Sequence, residues 1–302
     1  MKALAAEAGI RLALGILWLL HWLPLPWLAA LGHGVGKLLY RLAGSRRRVG
    51  MRNLTLCFPE MPEAERRALL RAHFGWLTQS LLDRAVLWWA SPARIKRLIQ
   101  IEGDIHLAER EMQTTGRPTM WLCPHFVGLD VGGVAILLGQ KQPAASIYQT
   151  QSHPLMDKLM KRGRLRFGNA EIFPRSDSVK PLLRAIKEGR GFFNLPDMDF
   201  GRKDAVFVPF FGIPAATLMA PSRLARMLNM VVQPVITELL PKGQGWRVRF
   251  LPPLPDFPTQ DVTSDTARLN RFIEGEILKQ PAQYLWVHKR FKTRPEGEPG
   301  LY

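Results

Sequence analysis

Cysteine is scarce in this chain, and that scarcity excludes two kinds of protein. The 302 residues contain two cysteines, Cys57 and Cys123. Two cysteines cannot build a framework of several disulfides, and no CxxC motif is present to ligate a metal ion. The count fits a protein that works in a reducing compartment.

Acidic residues are also few, which leaves the chain strongly basic. The sequence has 25 Asp and Glu against 42 Lys and Arg, a formal net charge of +17. Such a charge favours an anionic partner: nucleic acid, an anionic membrane surface or a phosphorylated substrate. The apolar fraction of 47% excludes a disordered chain.

Formal charge is absent from one N-terminal segment. Between Leu12 and Gly36 only His21 and His33 can carry partial charge. The segment is long enough for a span of roughly 20 apolar residues, and its aromatic residues are typical of a membrane interface. They are Trp18, Trp22 and Trp27.

Prolines in the same segment leave its path open. Pro24 and Pro26 would break or kink a helix, so a kinked single span and a hairpin that dips into one leaflet both fit. A cleaved signal peptide and a buried soluble helix are further alternatives.

Basic residues follow the uncharged segment and orient it. They are Lys37, Arg41, Arg46, Arg47, Arg48 and Arg52. By the positive-inside rule the body of the protein faces the cytoplasm, next to a leaflet where each basic side chain contributes about 1 kcal/mol of attraction. We therefore expect a membrane anchor in residues 1–44 and a separate domain in residues 45–302.

The sequence before residue 117 predicts few β-strands. Residues 43–53, AGSRRRVGMRN, are interpreted as a basic connector. Residues 61–89 predict one long amphipathic helix. Its expected core stripe consists of Leu69, Leu70, Phe74, Leu77, Leu81 and Leu82.

From about residue 117, short apolar runs alternate with amphipathic helices. The runs TMWLC, AASIY, GFFNL, VVQPVI and WRVRFL predict strands. DSVKPLLRAIKEG and TLMAPSRLARMLNM predict helices, the first with Asp177 or Ser178 as its N-cap and Gly189 just past its end. The alternation predicts an α/β fold with a mostly parallel or mixed sheet flanked by helices.

The stretch WLCPHFVGLD places His125 and Asp130 after the first of these strands, where ligands bind in α/β sheets. If His125 lies in the turn and Asp130 in the next helix, their side chains can meet. A carboxylate on one ring nitrogen leaves the other free to accept a proton. A histidine held at a strand end by backbone hydrogen bonds is the structural alternative.

A Cys123–His125 nucleophile pair is also conceivable, but a cysteine that closes an apolar strand is more often part of the core.

Two further clusters carry charge. The first is basic and consists of Lys158, Lys161, Arg162, Arg164, Arg166 and Arg175. It suits phosphate or carboxylate recognition, or it is a solvated surface. The second is the pair Asp197 and Asp199, two residues apart after a predicted strand. An ordinary loop and a metal ligand pair would look alike there.

Several motifs together resemble one family. They are the HxxxxD box, RNLTLCFPE, HPLMDKLMKRGRLR, PDMDFG, VFVPFFG and QYLWVHKRFKTRPEG. The sequence resembles the bacterial lipid A late acyltransferases, the lauroyl and myristoyl transferases of the glycerolipid acyltransferase superfamily. It differs at IYQTQSHP, where many relatives have Tyr-Arg-Pro followed by Asn-Pro.

The resemblance implies an enzyme at the cytoplasmic face of the bacterial inner membrane, either single-pass or monotopic. It implies acyl transfer from acyl-carrier-protein to a hydroxyacyl chain on a Kdo-bearing lipid A precursor, with no metal and no cofactor beyond that co-substrate. His125 and Asp130 match the catalytic box. Arg164, Arg166, Arg175, Asp197 and Asp199 are the expected substrate-binding residues, with Arg164 and Arg175 competing for one role.

Two rival functions stay open. The first is the same chemistry on an ornithine lipid, a lysophospholipid or a glycolipid. The second is a membrane-anchored basic module that binds an anion without chemistry, although no nucleic-acid motif is present and we expect no nucleic-acid partner. On the preferred interpretation, residues 45–302 form the acyltransferase domain.

Overall fold

Helices make up the N-terminal part of the chain. The computed structural model describes residues 2–302, with side chains from residue 7 onward. The first four helices are α1 (Lys2–Leu20), α2 (Leu25–Leu42), α3 (Gly44–Cys57) and α4 (Glu63–Trp89). Pro24 immediately precedes α2, so the prolines interrupt the uncharged segment as expected. In the part of the chain that the structure describes, every helix is too short or too polar to cross a membrane.

Helix α2 packs closely along α4 because small residues face the contact. A Cβ atom on Gly32 would lie 2.6 Å from the Cα of Gln79, and one on Gly36 would lie 2.6 Å from the Cα of Gly75. Leu25, Leu28 and Ala29 are further buried residues of α2. Glycine therefore allows the two backbones to approach each other as in membrane helix pairs.

Two N-terminal predictions need correction. The basic connector is helix α3, with Val49, Leu54 and Cys57 turned inward, so its basic residues occupy the exposed side of a helix. The expected stripe on α4 is only partly buried: Leu70 and Phe74 lie in the core, whereas Leu81 is 40% exposed.

A mixed sheet of seven strands forms the centre of the protein. Its strands are β1 (Ile99–Gly103), β2 (Thr119–Leu122), β3 (Ala144–Tyr148), β4 (Ala170–Pro174), β5 (Gly191–Asn194), β8 (Val231–Leu239) and β9 (Trp246–Phe250), and a separate hairpin joins β6 (Ala205–Phe210) to β7 (Ile213–Leu218). The sheet order is β1-β9-β8-β2-β5-β3-β4, and β8–β9 is its antiparallel pair. All five predicted strands and the mixed α/β class are confirmed; β1, β4 and the hairpin were not predicted.

Helices cover both faces of the sheet. They are α5 (Pro92–Leu98), α6 (Leu107–Thr115), α7 (Leu129–Gly139), α8 (Pro154–Arg164), α9 (Lys180–Lys187), α10 (Ala220–Met227) and α11 (Val262–Lys279). One core cluster contains α7 residues such as Val131 and Ala135, and a second contains Leu182 and Ile186 of α9. The predicted N-cap of α9 is wrong, because Val179 precedes that helix without a side-chain cap.

Candidate active site

His125 lies at the carboxyl end of the central strand. Strand β2 is buried along its whole length and ends at Leu122. Helix α7 begins at Leu129, which places His125 in the intervening turn and Asp130 in the first helical turn. Both positions agree with the sequence prediction.

The carboxylate that contacts His125 is that of Asp197, and the predicted contact with Asp130 is wrong. The ring Nδ1 of His125 lies 2.7 Å from Oδ1 of Asp197, and the His125 backbone N–H donates to Oδ2 at 2.9 Å. Strand β5 pairs with β2 in parallel, so the segments that follow the two strands meet at one edge of the sheet. Asp197 reaches His125 from that neighbouring segment.

This contact fixes the ring of His125. Burial acts to raise the pKa of Asp197, but the charge and hydrogen bonds of His125 lower it overall, so the carboxylate is ionised and accepts the Nδ1 proton. The lone pair then resides on Nε2, which has no hydrogen-bond partner among the described residues; the side chain is 12% exposed. An imidazole held in this way, with Nε2 unpaired, has the arrangement that general bases use.

A C-terminal segment holds the backbone around His125. The Leu285 N–H donates to the His125 carbonyl at 3.0 Å, and the Val127 N–H donates to the Gln283 carbonyl at 2.8 Å. Phe126 and Tyr284 form an isolated β-bridge between these contacts. The motif QYLWVHKRFKTRPEG, which begins at Gln283, therefore forms one wall of the site.

Asp130 is bound by two arginines. Its Oδ2 accepts from Nε of Arg84 at 2.8 Å, and its Oδ1 accepts from Nη2 of Arg164 at 2.9 Å and Nε at 3.1 Å. Burial would raise the pKa of Asp130, but the charges of Arg164 and Arg84 depress it well below its usual range. One carboxylate between two guanidinium groups leaves an excess positive charge at the start of α7.

The structure separates the other predicted arginines. Arg166 donates to the Leu87 carbonyl at 3.2 Å and the Ala90 carbonyl at 2.5 Å, so it caps the end of α4, and its expected contact with substrate stays a prediction. The Arg175 guanidinium lies 3.5 Å from the ring centroid of Phe200, beside the loop that carries Asp197.

Asp199 organises its own loop and does not contact His125. Its Oδ1 accepts from the Thr293 hydroxyl at 2.7 Å and the Gly201 N–H at 3.0 Å, and its Oδ2 accepts from the Thr293 N–H at 2.6 Å. The two aspartates therefore have different roles, because Asp197 binds His125 and Asp199 binds the C-terminal segment.

An apolar cavity opens beside the Asp130 cluster. It encloses about 710 Å³, open solvent at its mouth included, between α7, α8, the end of α4 and strands β3 and β4. Asp130 and Arg164 are polar members of a mostly aliphatic and aromatic lining. The lining includes Leu87, Trp88, Leu129, Gly133, Val134, Ile136, Leu137, Ala144, Ile172, Phe193 and Leu195.

The thiol of Cys123 is not suited to be a nucleophile. The residue is fully buried, and burial raises the pKa of its thiol well above the usual value, with smaller contributions from Asp197 and Asp130. A thiol held protonated in the core is inert.

Two residues of the site were missed from the sequence. Arg84 stands in SLLDRAVLWW, where a charged residue in the apolar end of a helix is the available signal. His288 belongs to the C-terminal motif, and its Nε2 accepts the Asp199 N–H at 3.2 Å.

Fold and site together define the kind of protein. A histidine–carboxylate pair lies at the carboxyl edge of a mixed α/β sheet, and the helix that follows the histidine carries an arginine-bound carboxylate in the wall of an apolar cavity. The chain belongs to the bacterial lipid A biosynthesis acyltransferase family, whose model matches residues 3–293. It is therefore an acyltransferase.

Named relatives are similar along almost the whole chain. A lipid A biosynthesis lauroyltransferase of Escherichia coli K12 is 37% identical over 292 residues, covering 96% of this chain and 94% of the relative. The palmitoleoyltransferase of the same organism is 33% identical, with 96% and 92% covered. Its myristoyltransferase is 32% identical, with 90% and 82% covered.

Proposed function

We propose that this chain transfers a fatty acyl group from acyl-carrier-protein to a hydroxyacyl chain of a Kdo-bearing lipid A precursor. The observation that carries the proposal is the His125–Asp197 contact of 2.7 Å, which directs the free lone pair of Nε2 away from the carboxylate. Family membership supplies the reaction class, and the histidine supplies the base that the reaction needs.

The proposed reaction begins with proton transfer. Nε2 of His125 takes the proton from the acceptor hydroxyl, and Asp197 stabilises the resulting imidazolium. The acceptor oxygen forms a bond to the thioester carbonyl carbon, which gives a tetrahedral oxyanion. The carbon–sulfur bond then breaks, and the departing sulfur takes the proton back from His125.

The apolar cavity is proposed to hold the acyl chain. Its lining consists mostly of hydrocarbon side chains, and Asp130 and Arg164 mark its polar part. Each methylene removed from water contributes about 0.8 kcal/mol, so a fatty acyl group gains substantial binding energy there. The reactive carbonyl would remain outside the apolar part, near the polar groups.

The arginines beside Asp130 are proposed to supply the positive field of the site. Both are partly exposed, with 31% of the Arg84 side chain and 27% of the Arg164 side chain accessible. Asp130 fixes their position, which preorganises them for charge that develops on the substrate. Asp130 would then act through the arginines and Asp197 through the histidine.

Membrane attachment is proposed to use the exposed face of α1, α2 and the turn between them. We call this set the apolar N-terminal face. Its residues are Leu12, Ile16, Trp18, Leu19, Trp22, Trp27, Leu31, Leu38, Leu39 and Leu42, each between 37% and 69% exposed. Exposed basic residues follow on α2 and α3, among them Arg41 and Arg48. Amphipathic helices of this type lie in the interface of an anionic leaflet.

The proposed location is the cytoplasmic face of a bacterial inner membrane. Residues 1–44 would form the membrane-attaching part and residues 45–302 the acyltransferase domain. The lipid acceptor of the reaction resides in that membrane, so attachment places the site beside its substrate.

Lipid analysis tests the acceptor. Mass spectrometry of total lipids from cells with and without the gene should show lipid A species that lack one acyl group in the deletion strain. Loss of an acyl group from an ornithine lipid, lysophospholipid or glycolipid, with lipid A unchanged, would assign the same chemistry to that acceptor. The departure from relatives at residues 147–154 makes this comparison necessary.

A further inference from the structure

Two histidines from distant parts of the chain meet the same loop. His125 contacts the carboxylate of Asp197, and Nε2 of His288 accepts the backbone N–H of Asp199 at 3.2 Å. Asp197 and Asp199 are two residues apart, so the two rings are anchored on neighbouring positions.

The hydrogen bond from Asp199 fixes the tautomer of His288. An Nε2 atom that accepts an N–H cannot carry a proton, so the proton of the neutral ring resides on Nδ1. Nδ1 has no hydrogen-bond partner in residues 7–302 and is not among their fully buried polar atoms. A donor with no protein acceptor is thus held in place.

His288 is also kept neutral. Burial and, less strongly, the nearby charge of His125 lower its pKa to about 4, against the opposing effect of Asp197. Near neutral pH the ring of His288 is therefore a donor at Nδ1 that adds no positive charge beside His125.

The backbone of His288 is tied to the same framework as His125. Its carbonyl accepts from Nδ2 of Asn53 at 2.7 Å, and its N–H donates to the Leu285 carbonyl at 3.2 Å. The N–H of Leu285 in turn donates to the His125 carbonyl at 3.0 Å. This framework fixes one ring relative to the other, as preorganised catalysis requires.

Support of the Asp199 loop does not account for a histidine at this position. Thr293 and Gly201 already satisfy the Asp199 carboxylate with three hydrogen bonds. The hydrogen bond from the Asp199 N–H to His288 needs only an acceptor. It does not account for the second polar group of the ring, the Nδ1–H.

We propose that His288 is a second functional histidine, whose Nδ1–H donates a hydrogen bond to the thioester carbonyl oxygen as that oxygen becomes an oxyanion. This proposal rests on the proposed acyl transfer. It divides the work between the two rings: His125 moves the proton, and His288 donates a hydrogen bond without losing its own proton. Such a donor, fixed before the reaction, contributes most where charge develops.

Two substitutions separate the proposed role from a structural one. In His288→Asn the amide nitrogen replaces Nδ1 and the acceptor for Asp199 is lost. In His288→Gln the amide oxygen replaces Nε2 and keeps that acceptor, but the donor at the Nδ1 position is lost. Steady-state kinetics with acyl-carrier-protein and a lipid A precursor, and thermal unfolding, are measured on both full-length variants and the wild type.

The proposal predicts that His288→Gln lowers kcat about 10²-fold with KM for the acyl donor and Tm near wild type. It predicts that His288→Asn retains at least about ten times more kcat than His288→Gln. Any other ranking, including two variants alike or a more active Gln variant, overturns the proposal while leaving the acyltransferase intact. A wild type without transfer activity would instead overturn the proposed function.

Discussion

The ring of His125 pairs with Asp197, 72 residues further along the chain, at 2.7 Å between Nδ1 and Oδ1. Asp130, five residues after the histidine, is instead bound by Arg84 and Arg164. The carboxylates of the site therefore support different groups, and substitutions at the two should have different consequences.

Asp197→Asn should remove the carboxylate that supports the imidazolium. The amide oxygen can still accept from Nδ1, but it carries no negative charge. We expect kcat to fall by about 10²- to 10⁴-fold with little change in KM for either substrate. Steady-state kinetics on the purified protein test this, with Asp204→Asn at an exposed position as the control. A kcat within a factor of two of wild type would refute the role given to Asp197.

Asp130 and Arg84 should behave as one unit in a double-mutant cycle. Arg84→Gln and Asp130→Asn each break a partly buried ion pair, so each should lower the unfolding free energy by about 1–3 kcal/mol. The unfolding free energy lost in the double variant should be clearly smaller than the sum of the losses in the two single variants. Chemical denaturation gives the coupling energy.

The matched control for this cycle lies on the same helix. Arg67 and Glu63 form an exposed ion pair four residues apart, and Arg67→Gln should change stability by less than about 0.5 kcal/mol. Strict additivity of Arg84→Gln and Asp130→Asn would contradict the arrangement around Asp130.

Gly133→Leu should shorten the acyl chain that the enzyme prefers. Gly133 lines the apolar cavity, and a Cβ atom there would meet nothing within 4 Å. A leucine side chain would therefore occupy cavity space without displacing the fold. Competition between acyl-carrier-proteins of different chain length, followed by mass spectrometry, should show kcat/KM for the longer donor reduced about tenfold or more relative to the shorter.

Gly275→Leu is the control for this change. Gly275 also lies on a helix with nothing within 4 Å of an added Cβ, and it is not part of the cavity lining. An equal effect of the two substitutions on acyl-chain preference would contradict the proposal that the acyl chain binds in this cavity.

Charged residues on the apolar N-terminal face should weaken membrane binding. Trp22 and Trp27 are each 69% exposed, so replacing both by Glu should leave the fold intact and weaken binding to vesicles of phosphatidylethanolamine and phosphatidylglycerol by about tenfold or more. Vesicle flotation measures the bound fraction. Leu278→Glu, at a position 62% exposed on α11, should bind like wild type; an equal loss there would contradict this assignment.

Asp83→Asn should remove one pH dependence of stability. Burial raises the pKa of Asp83 to about 7, against hydrogen bonds from Trp246 and Gln79. A folded pKa above the unfolded value near 3.9 gives stability that is present at low pH and lost as the pH rises toward 7. The stability of the asparagine variant relative to wild type should therefore increase by about 3 kcal/mol between pH 4 and 7.

Comparison of the two proteins isolates the effect of Asp83. Other titrating groups, such as buried His73, whose pKa burial lowers to about 4, contribute alike to both. Urea denaturation at several pH values gives the difference, and a constant difference would refute the raised pKa.

Local patterns predicted most of the fold and the position of the site. The apolar runs that became β2, β3, β5, β8 and β9 carry a strong local signal, and Pro24 marks the break before α2. The stripe on α4 was harder to predict because this helix packs on several other helices, chiefly α2, and also buries polar residues, among them Gln79 and Asp83. The partner of Asp83 is Trp246, 163 residues further along the chain.

The spacing of the site residues in the sequence did not predict which of their side chains contact each other. HxxxxD places two polar residues near one strand end but does not say which neighbour each one meets. Asp197 reaches His125 because β5 lies beside β2, and sheet order is not encoded in either segment alone. Arg84, from a helix 46 residues before Asp130, shows the same limit.

The central claim is that His125 is the base of an acyl transfer. Its most direct test is transfer of a labelled acyl group from acyl-carrier-protein to a Kdo-bearing lipid A precursor by purified wild type and His125→Ala. Proton transfer by a positioned histidine contributes about 10²- to 10⁴-fold, so we predict transfer by the wild type and a loss of that size in the variant, with unchanged Tm. Undiminished transfer by His125→Ala would contradict the account.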